Sequence, residues 1–538
     1  MDEQISPAST ARQDAYDGLT FLGWRWGLAA IIAGLALSFF LFGYAVIYWR
    51  NADMDFMVIY SALAMNDGKP QQFLDHTAYL TILSVKSWFQ LLHGFGLFDA
   101  DTLPAIPSAA NATAFDAAMT SAVRAARVLA FLVATGCVLI FAGLARFILR
   151  DRRVALLATL AFAFSGGIAV HSRILRSELV AALPVIFALM ILIAAGRRAS
   201  PTRPLALAAA AGLCVLGLEN KVQTILLIGA LPFVILPFGS ADSASVAFWS
   251  HRRSRWLVTA VAAIVATAAA WAAWPLAGIG FDRSLLDAAH FVPLAFGRFG
   301  IYQMALLFLA GACMVAYAAI WRVSVAETLA SMSTIAAGTS IALLVLNLDY
   351  NSGNVIAVFN PLEKMITFAD TTTTSAANGS SLTAIFLLLF DGLGSVLARY
   401  TFVLHSSPRP TVFLTWLIMP GIVYAWRRGE RLAALQALVL MLAAIGIDTL
   451  GVRRGLKSEY FIFTDPLIIL AGAILLDAAR DLRFHKWTYP IAMTLFGLHI
   501  AVGQAEPVKY AFKRTGPESI CEWNPYYMPL MPLPWCKR

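Results

Sequence analysis

Charge is scarce in this chain of 538 residues: Asp, Glu, Lys and Arg together make up 13%, against 59% hydrophobic residues and a mean hydropathy of +0.72. A water-soluble chain carries far more charge on its surface, so lipid is the expected solvent. The apolar runs do not alternate with polar residues as barrel strands do. They are long and rich in Leu, Ala, Ile and Phe, which makes helices the spanning elements. No small-residue cleavage site follows the first apolar run, Trp24 to Trp49, so that run is expected to remain as a signal anchor. Repeats of fixed period and low-complexity linkers are lacking too, and one membrane domain is expected, preceded by about twenty residues of disordered composition. Cysteine is sparse. Cys137, Cys214 and Cys313 lie singly in apolar runs, whereas Cys521 and Cys536 flank a polar, Pro- and Trp-rich tail and are placed to form a disulfide if that tail is exported. The net charge of +9 does not point to nucleic acid, because most Arg residues sit in short clusters between apolar runs, where they orient helices.

Apolar windows place spans near 24–49, 124–149, 154–171, 178–196, 204–219, 222–238, 256–277, 302–320, 327–347, 410–426, 432–449, 465–479 and 488–505. The expectation is therefore an all-α polytopic protein of about 13 transmembrane helices over residues 24–505, with a cytoplasmic tail at 1–23 and a short exported tail at 506–538. With the N-terminus inside, the connections at Arg150 to Arg153, Arg197 to Arg203, Arg252 to Arg255, Arg322, Arg427 to Arg431 and Arg480 to Lys486 all fall in the cytoplasm. The longer, more polar segments at 50–121, 281–301, 347–410 and after 503 then share the opposite side. The segment Ser381 to Phe402, interrupted by Asp391, Gly392, Gly394 and Arg399, reads either as two short spans or as one interfacial helix.

Charged groups at the outer ends of spans are costly unless they face a cavity, so chemistry is sought there. The first loop carries Asp53-Met54-Asp55, then Tyr60, then Asp75-His76. Two acids separated by one residue can share a divalent cation such as Mg2+ or Mn2+, or one can take a proton while the other holds its neighbour; short acids at such places also serve as helix caps. His171-Ser172-Arg173-Ile174-Leu175-Arg176-Ser177-Glu178 puts cations and an acid at the mouth of a helix hairpin, where Arg176 and Glu178 can pair or Arg176 can snorkel to headgroups. Glu219-Asn220-Lys221 interrupts an apolar stretch, and the simplest account is a Glu219 to Lys221 pair within one turn. Arg453, Arg454 and Lys457 crowd a short outer loop ahead of Glu459-Tyr460 and Thr464-Asp465-Pro466, a cluster suited to phosphate or to anionic lipid. His290 and Arg298 stand alone in their loop, where a His more often bonds locally.

In order, these motifs resemble the GT-C superfamily of polyprenyl-phosphate-sugar-dependent glycosyltransferases, particularly protein O-mannosyltransferases and the lipid A aminoarabinose transferase. Asp53-Met54-Asp55, Tyr60 and Asp75-His76-Thr77-Ala78-Tyr79-Leu80 match the acidic pair, the Tyr-bearing helix and the acidic element of that family's first loop. Arg176-Ser177-Glu178 is similar to its R-x-D/E element, Lys221 to the Lys after a Gly-Leu pair (here Gly217-Leu218), and Tyr460 through Pro466 to its late Tyr and Pro element. Thr77-Ala78 departs from the Pro-Pro of many members, and the short tail leaves little room for a soluble domain. The resemblance implies an inverting transferase in the bacterial inner membrane, its active site periplasmic, moving sugar from a polyprenyl-phosphate donor to a hydroxyl acceptor on a glycan, glycolipid or protein. It assigns Asp53 as the base or acceptor-orienting carboxylate and Asp55 and Asp75 as metal-binding or positioning partners. Arg176, Lys221, Arg453, Arg454 and Lys457 face the donor phosphate, Glu178 orients Arg176, and Tyr60, His76, His290 and Tyr460 complete the substrate site. A transporter or flippase of lipid-linked sugars, and an O-antigen-type polymerase or ligase, are the alternative readings.

Overall fold

The computed structural model describes residues 7–70, 78–197, 203–238, 252–280, 324–350, 352–359, 382–402, 409–451, 458–479, 488–512, 516–522 and 524–536, with isolated positions between 282 and 361. Among these residues every regular element is a helix. Six helical stretches among the described residues are long and apolar enough to cross a membrane: Gly23–Tyr44, Ala112–Ile148, Glu178–Gly196, Arg252–Ile279, Val325–Asn347 and Arg431–Leu450. Large apolar side chains such as Trp271, Trp274 and Leu257 point outward from them. A multi-pass membrane protein offers such a surface to lipid.

Helix α1 (Pro7–Phe39) begins well before the expected anchor and ends in a π-helical turn, Phe40–Tyr44. The segment expected to be disordered is therefore helical from Pro7 onward. A first loop of two helices follows, α2 (Ala52–Asn66) and α3 (Tyr79–Gly94). Helix α4 (Ala112–Ile148) is capped by Asn111, whose side chain accepts from the Ala114 amide. At 37 residues and about 1.5 Å per residue it is roughly 55 Å long, well beyond a hydrocarbon core of about 30 Å. The hydropathy window at 124–149 marks only its apolar part. Its first half, from Phe115 to Ala130, packs with α2 and α3 in a cap outside the apolar bundle, while its second half, from Ala134 to Ile148, joins the main core.

The expected span at 154–171 divides at Ser165 into α5 (Arg152–Ala163) and α6 (Gly166–His171). Next come α7 (Glu178–Arg197), α8 (Arg203–Asn220), α9 (Thr224–Ile235), α10 (Arg252–Gly280), α11 (Val325–Leu343) and α12 (Ser352–Phe359). Helices α7, α8, α11 and α10 pack in that order, side by side. A Cβ on Gly338 of α11 would fall 2.0 Å from the Ala208 carbonyl oxygen of α8, so this approach tolerates no side chain there. The segment at 382–401 is one unbroken helix, α13 (Leu382–Thr401), and α14 (Val412–Arg427), α15 (Arg431–Gly451), α16 (Asp465–Ala478) and α17 (Thr488–Ala511) complete the bundle. Helix α17 runs six residues into the expected tail.

The remaining tail folds back as α18 (Asn524–Tyr527) and irregular chain, with Cys521 and Cys536 joined in a disulfide. Ile520, Met528, Met531 and Leu533 are buried against α2, α3 and α4, Trp535 lies against Tyr48 and Phe115, and the Leu530 amide donates to the Tyr60 hydroxyl. Burial pushes the Tyr60 phenol up, so it stays protonated. Closing a loop of 15 residues removes unfolded-state freedom worth about 3 kcal/mol. A Cys521→Ser, Cys536→Ser protein is expected to keep its bundle and its elution profile. Its tail, however, should be cut severalfold faster by chymotrypsin at exposed Tyr526, as followed by mass spectrometry. An unchanged cutting rate would mean that the apolar contacts suffice.

Candidate functional site

Helix direction sorts the charges to two ends. At one end the C-terminus of α4 meets that of α16 through the Arg150 and Asp151 amides, which donate to Asp477. At the same end Arg203 of α8 pairs with Glu327 of α11, and Arg255 of α10 donates to Ser324. The opposite end holds three buried charge clusters among the described residues.

The first is centred on Arg127 of α4, which has no exposed surface. Its Nε and Nη2 donate to Asp55 Oδ2 at 2.9 and 2.7 Å, and Nη1 donates to the carbonyls of Gly43 and Val46 at 3.1 and 2.8 Å. One guanidinium thus ties the end of α1 and the start of α2 to α4. Asp55 Oδ1 accepts from the Leu175 amide at 2.8 Å, which fixes the backbone one residue before Arg176. Burial pushes the Asp55 carboxyl up while Arg127 pulls it down, and burial prevails.

The second cluster gathers on Glu178, the buried first residue of α7, where a carboxylate also faces the positive end of the helix. Arg176 donates to both its oxygens at 3.2 Å, Lys221 Nζ to Oε1 at 2.5 Å, and His171 Nε2 stands 3.6 Å from Oε2. Arg176 also reaches Glu459 at 3.5 Å, and the Lys221 ammonium lies 5.3 Å from the centre of the Tyr460 ring. Glu459 and Tyr460 belong to the 3-10 turn Ser458–Phe463. That turn packs on α6 because Gly167 lacks a side chain; a Cβ there would stand 2.8 Å from the Ile462 nitrogen. Arg176, Glu178, Lys221 and Tyr460, from three separate sequence motifs, therefore meet at one place.

The third cluster lies on the other face of the same turn. Buried Arg409, ahead of α14, donates to Tyr400 at 2.6 Å, to Asp465 at 2.9 Å and to Thr464, and pairs with Asp448 of α15. Its guanidinium lies 4.5 Å from the Phe461 ring.

Sequence reasoning passed over Arg127, Arg409 and Asp448. Arg127 was absorbed as the flank of an apolar window, although an Arg three residues inside an expected span is itself a signal. The Glu219 to Lys221 pair expected within one turn does not form, since Lys221 turns instead to Glu178. Asp55, expected to position its neighbours or share a cation, is here bonded through Oδ2 to Arg127 and through Oδ1 to the Leu175 amide. The side chain of Asp53, and Asp75, His76, His290, Arg453, Arg454 and Lys457 altogether, lie outside the described residues.

Comparison with protein-family models, with curated proteins and with solved structures finds no match to this chain.

Removing one partner of a buried ion pair strands the other, at about 3–5 kcal/mol, whereas replacing both by apolar groups is close to neutral. Arg127→Met alone is accordingly expected to unfold at markedly lower temperature than the parent, and an Arg127→Met, Asp55→Leu protein to recover most of the loss. Thermal unfolding in nanodiscs measures both, and additive losses would show that the pair is not coupled.

Proposed function

We propose that this protein is an inverting glycosyltransferase of the GT-C type that takes a sugar from a polyprenyl-phosphate donor and passes it to a hydroxyl acceptor on the extracytoplasmic face of the inner membrane. The observation that carries this reading is the convergence of Arg176 and Lys221 on buried Glu178, at the end of the bundle that also bears the acidic first loop. Cations at the membrane edge suit a phosphate whose lipid tail stays in the bilayer, and a nearby carboxylate suits an acceptor that must lose a proton. The side is supported by two features: the disulfide belongs to the same end, as an oxidising compartment requires, and the Arg-rich turns belong to the other. About 13 spans, with the N-terminus inside, remain the architecture that best accommodates this arrangement.

In this reading the acceptor oxygen attacks the anomeric carbon as the bond from that carbon to the phosphate oxygen breaks. The acceptor proton passes to Asp53, and the charge left on the departing phosphate is met by Arg176 and Lys221, with Arg453, Arg454 and Lys457 assisting from the adjoining loop. Glu178 keeps both cations from straying while the site is empty. Arg176 is the more exposed of the two, at 11% against 5% for Lys221, and its bonds to Glu178 are the longer, so it is the cation freer to turn toward a donor. Asp55 acts at one remove, holding the Leu175 backbone beside Arg176.

The Arg409, Asp448 and Asp465 cluster favours the second reading, a transporter of lipid-linked sugar, since buried ionisable groups between helices often line a transport path. The readings separate on product. Protein in nanodiscs, supplied with polyprenyl-phosphate sugars and membrane extract, should yield a glycosylated acceptor without any transmembrane gradient; translocation in vesicles without transfer would support the transporter. Asp53→Asn is expected to lower kcat on the order of a hundredfold or more while leaving donor affinity nearly intact. Arg176→Gln and Lys221→Met should instead raise the donor KM on the order of tenfold, as the loss of a charge-assisted hydrogen bond implies. Near-parental turnover by a well-folded Asp53→Asn protein would remove the base assignment, with Asp75→Asn tested alongside.

A further inference from the structure

Residues 219–221 close α8 with three consecutive polar side chains, all buried. Two of them are answered. Asn220 accepts from the Thr81 amide and hydroxyl at 3.0 Å each and donates to the Ser177 carbonyl, joining α8 to α3 and to the chain ahead of α7. Lys221 donates to Glu178. Glu219 has no exposed surface, yet among the described residues neither of its carboxylate oxygens has a hydrogen-bond partner. Its titratable neighbour on α3 is Tyr79, close enough to feel its charge, but Tyr79 is already committed: its hydroxyl donates to the Val345 carbonyl and accepts from the Asp349 amide, both at 3.1 Å. The nearest cation in sequence faces away.

A buried carboxyl group with nothing to receive is costly to the fold, and a Leu or Gln of the same bulk would relieve it. Its place in the last turn of α8 puts it at the same helix end as the proposed phosphate-facing lysine but with its side chain turned to a different neighbourhood, which is what a separate, hydroxyl-rich group attached to that phosphate would need. An ionised phosphate brings no donor to Glu219, whereas sugar hydroxyls would supply the donors that it lacks. Resting on the transferase reading above, we propose that Glu219 is the carboxylate that holds the donor's sugar, accepting hydrogen bonds from its hydroxyls, while Arg176 and Lys221 hold the phosphate. The division gives the site a means of telling a loaded lipid from the spent one, because the spent carrier presents a phosphate and no hydroxyls.

The test uses full-length protein in nanodiscs of phosphatidylethanolamine and phosphatidylglycerol, with farnesyl phosphate and its mannosyl, glucosyl and arabinosyl esters as probes, binding being read from the shift in unfolding temperature. The parent is expected to bind at least one ester more tightly than farnesyl phosphate. Glu219→Gln should be at least as stable as the parent without ligand, lose that preference on the order of tenfold, and bind farnesyl phosphate unchanged. A Gln variant that keeps the parental preference overturns the proposal. So does stabilisation of the parent by Mg2+, Mn2+ or Ca2+ alone that vanishes in the Gln variant, which would make Glu219 a cation ligand. Should the Gln variant not elute as a single species, Glu219→Asp replaces it: withdrawing the charge by one methylene should reduce the preference, and a full parental preference again overturns. A parent that prefers the sugar esters through Glu219 but transfers nothing would remove the transferase reading and leave this inference standing. A parent that transfers sugar while its Gln variant binds as before would do the reverse.

Discussion

A guanidinium at Arg127 that water does not reach sets the terms for the part of the molecule where the candidate site lies. Moving a charge out of water costs several kcal/mol even after relaxation, and the cost is met only if every donor finds an acceptor of good geometry. Arg127 finds them in three acceptors, the carbonyls of Gly43 and Val46 where α1 gives way to the first loop and the carboxylate of Asp55 at the start of α2. Because Asp55 spends its other oxygen on the Leu175 amide, the constraint passes along the chain to Arg176 and from there to Glu178. The position of the second cluster is thus set in part by the first, through one peptide group.

The turn Ser458–Phe463 has the corresponding role on the far side. Its Glu459 and Tyr460 face Arg176 and Lys221, and its Phe461 covers Arg409. Six residues therefore form a wall common to two buried clusters, and Arg453, Arg454 and Lys457 precede them in sequence. A shift of this turn could not leave either cluster as it is. The close packing of Gly167 on Ile462 argues that the turn is held by sterics as well as by charge.

Hydropathy made the helices legible, because lipid imposes one solution on the backbone and writes it as long apolar runs. It also made Arg176, Glu178, Lys221 and Tyr460 legible, since a charge at a span end stands out against its surroundings. Window methods fail where an element leaves the membrane without ending. The first half of α4 reads as loop because its apolar residues face a cap rather than lipid, and α1 reads as disordered before the anchor because its composition there is polar, although the backbone is helical from Pro7. Pairing was the least legible property. Sequence places Lys221 beside Glu219, but the end of α8 turns the two side chains apart, and a neighbour from α7 wins. No spacing rule joins Arg127 to Asp55 or Arg409 to Asp448, which lie 72 and 39 positions apart in the numbering and meet only once helices have packed.

Buried ion pairs are weak evidence for stability, since well-packed apolar residues in their place are often as stable or more so. That weakness bears on function. Lipid-facing helices need only small and apolar residues to associate, as α8 and α11 do through Gly338 and Ala208. Nothing in their assembly asks for Arg176, Lys221 and Glu178 at the mouth of a hairpin. A pair that merely locked α7 to α8 could have been made with one cation, yet Glu178 is held by two, with Glu459 and His171 close behind. With Arg176 paired to Glu459 as well, two cations are matched by two carboxylates, so the cluster is a network of four charges drawn from three elements rather than a single lock between two helices. A network of that size at the mouth of a hairpin is more than helix association asks for, and it is the physical ground on which the proposed phosphate-linked substrate is sought there.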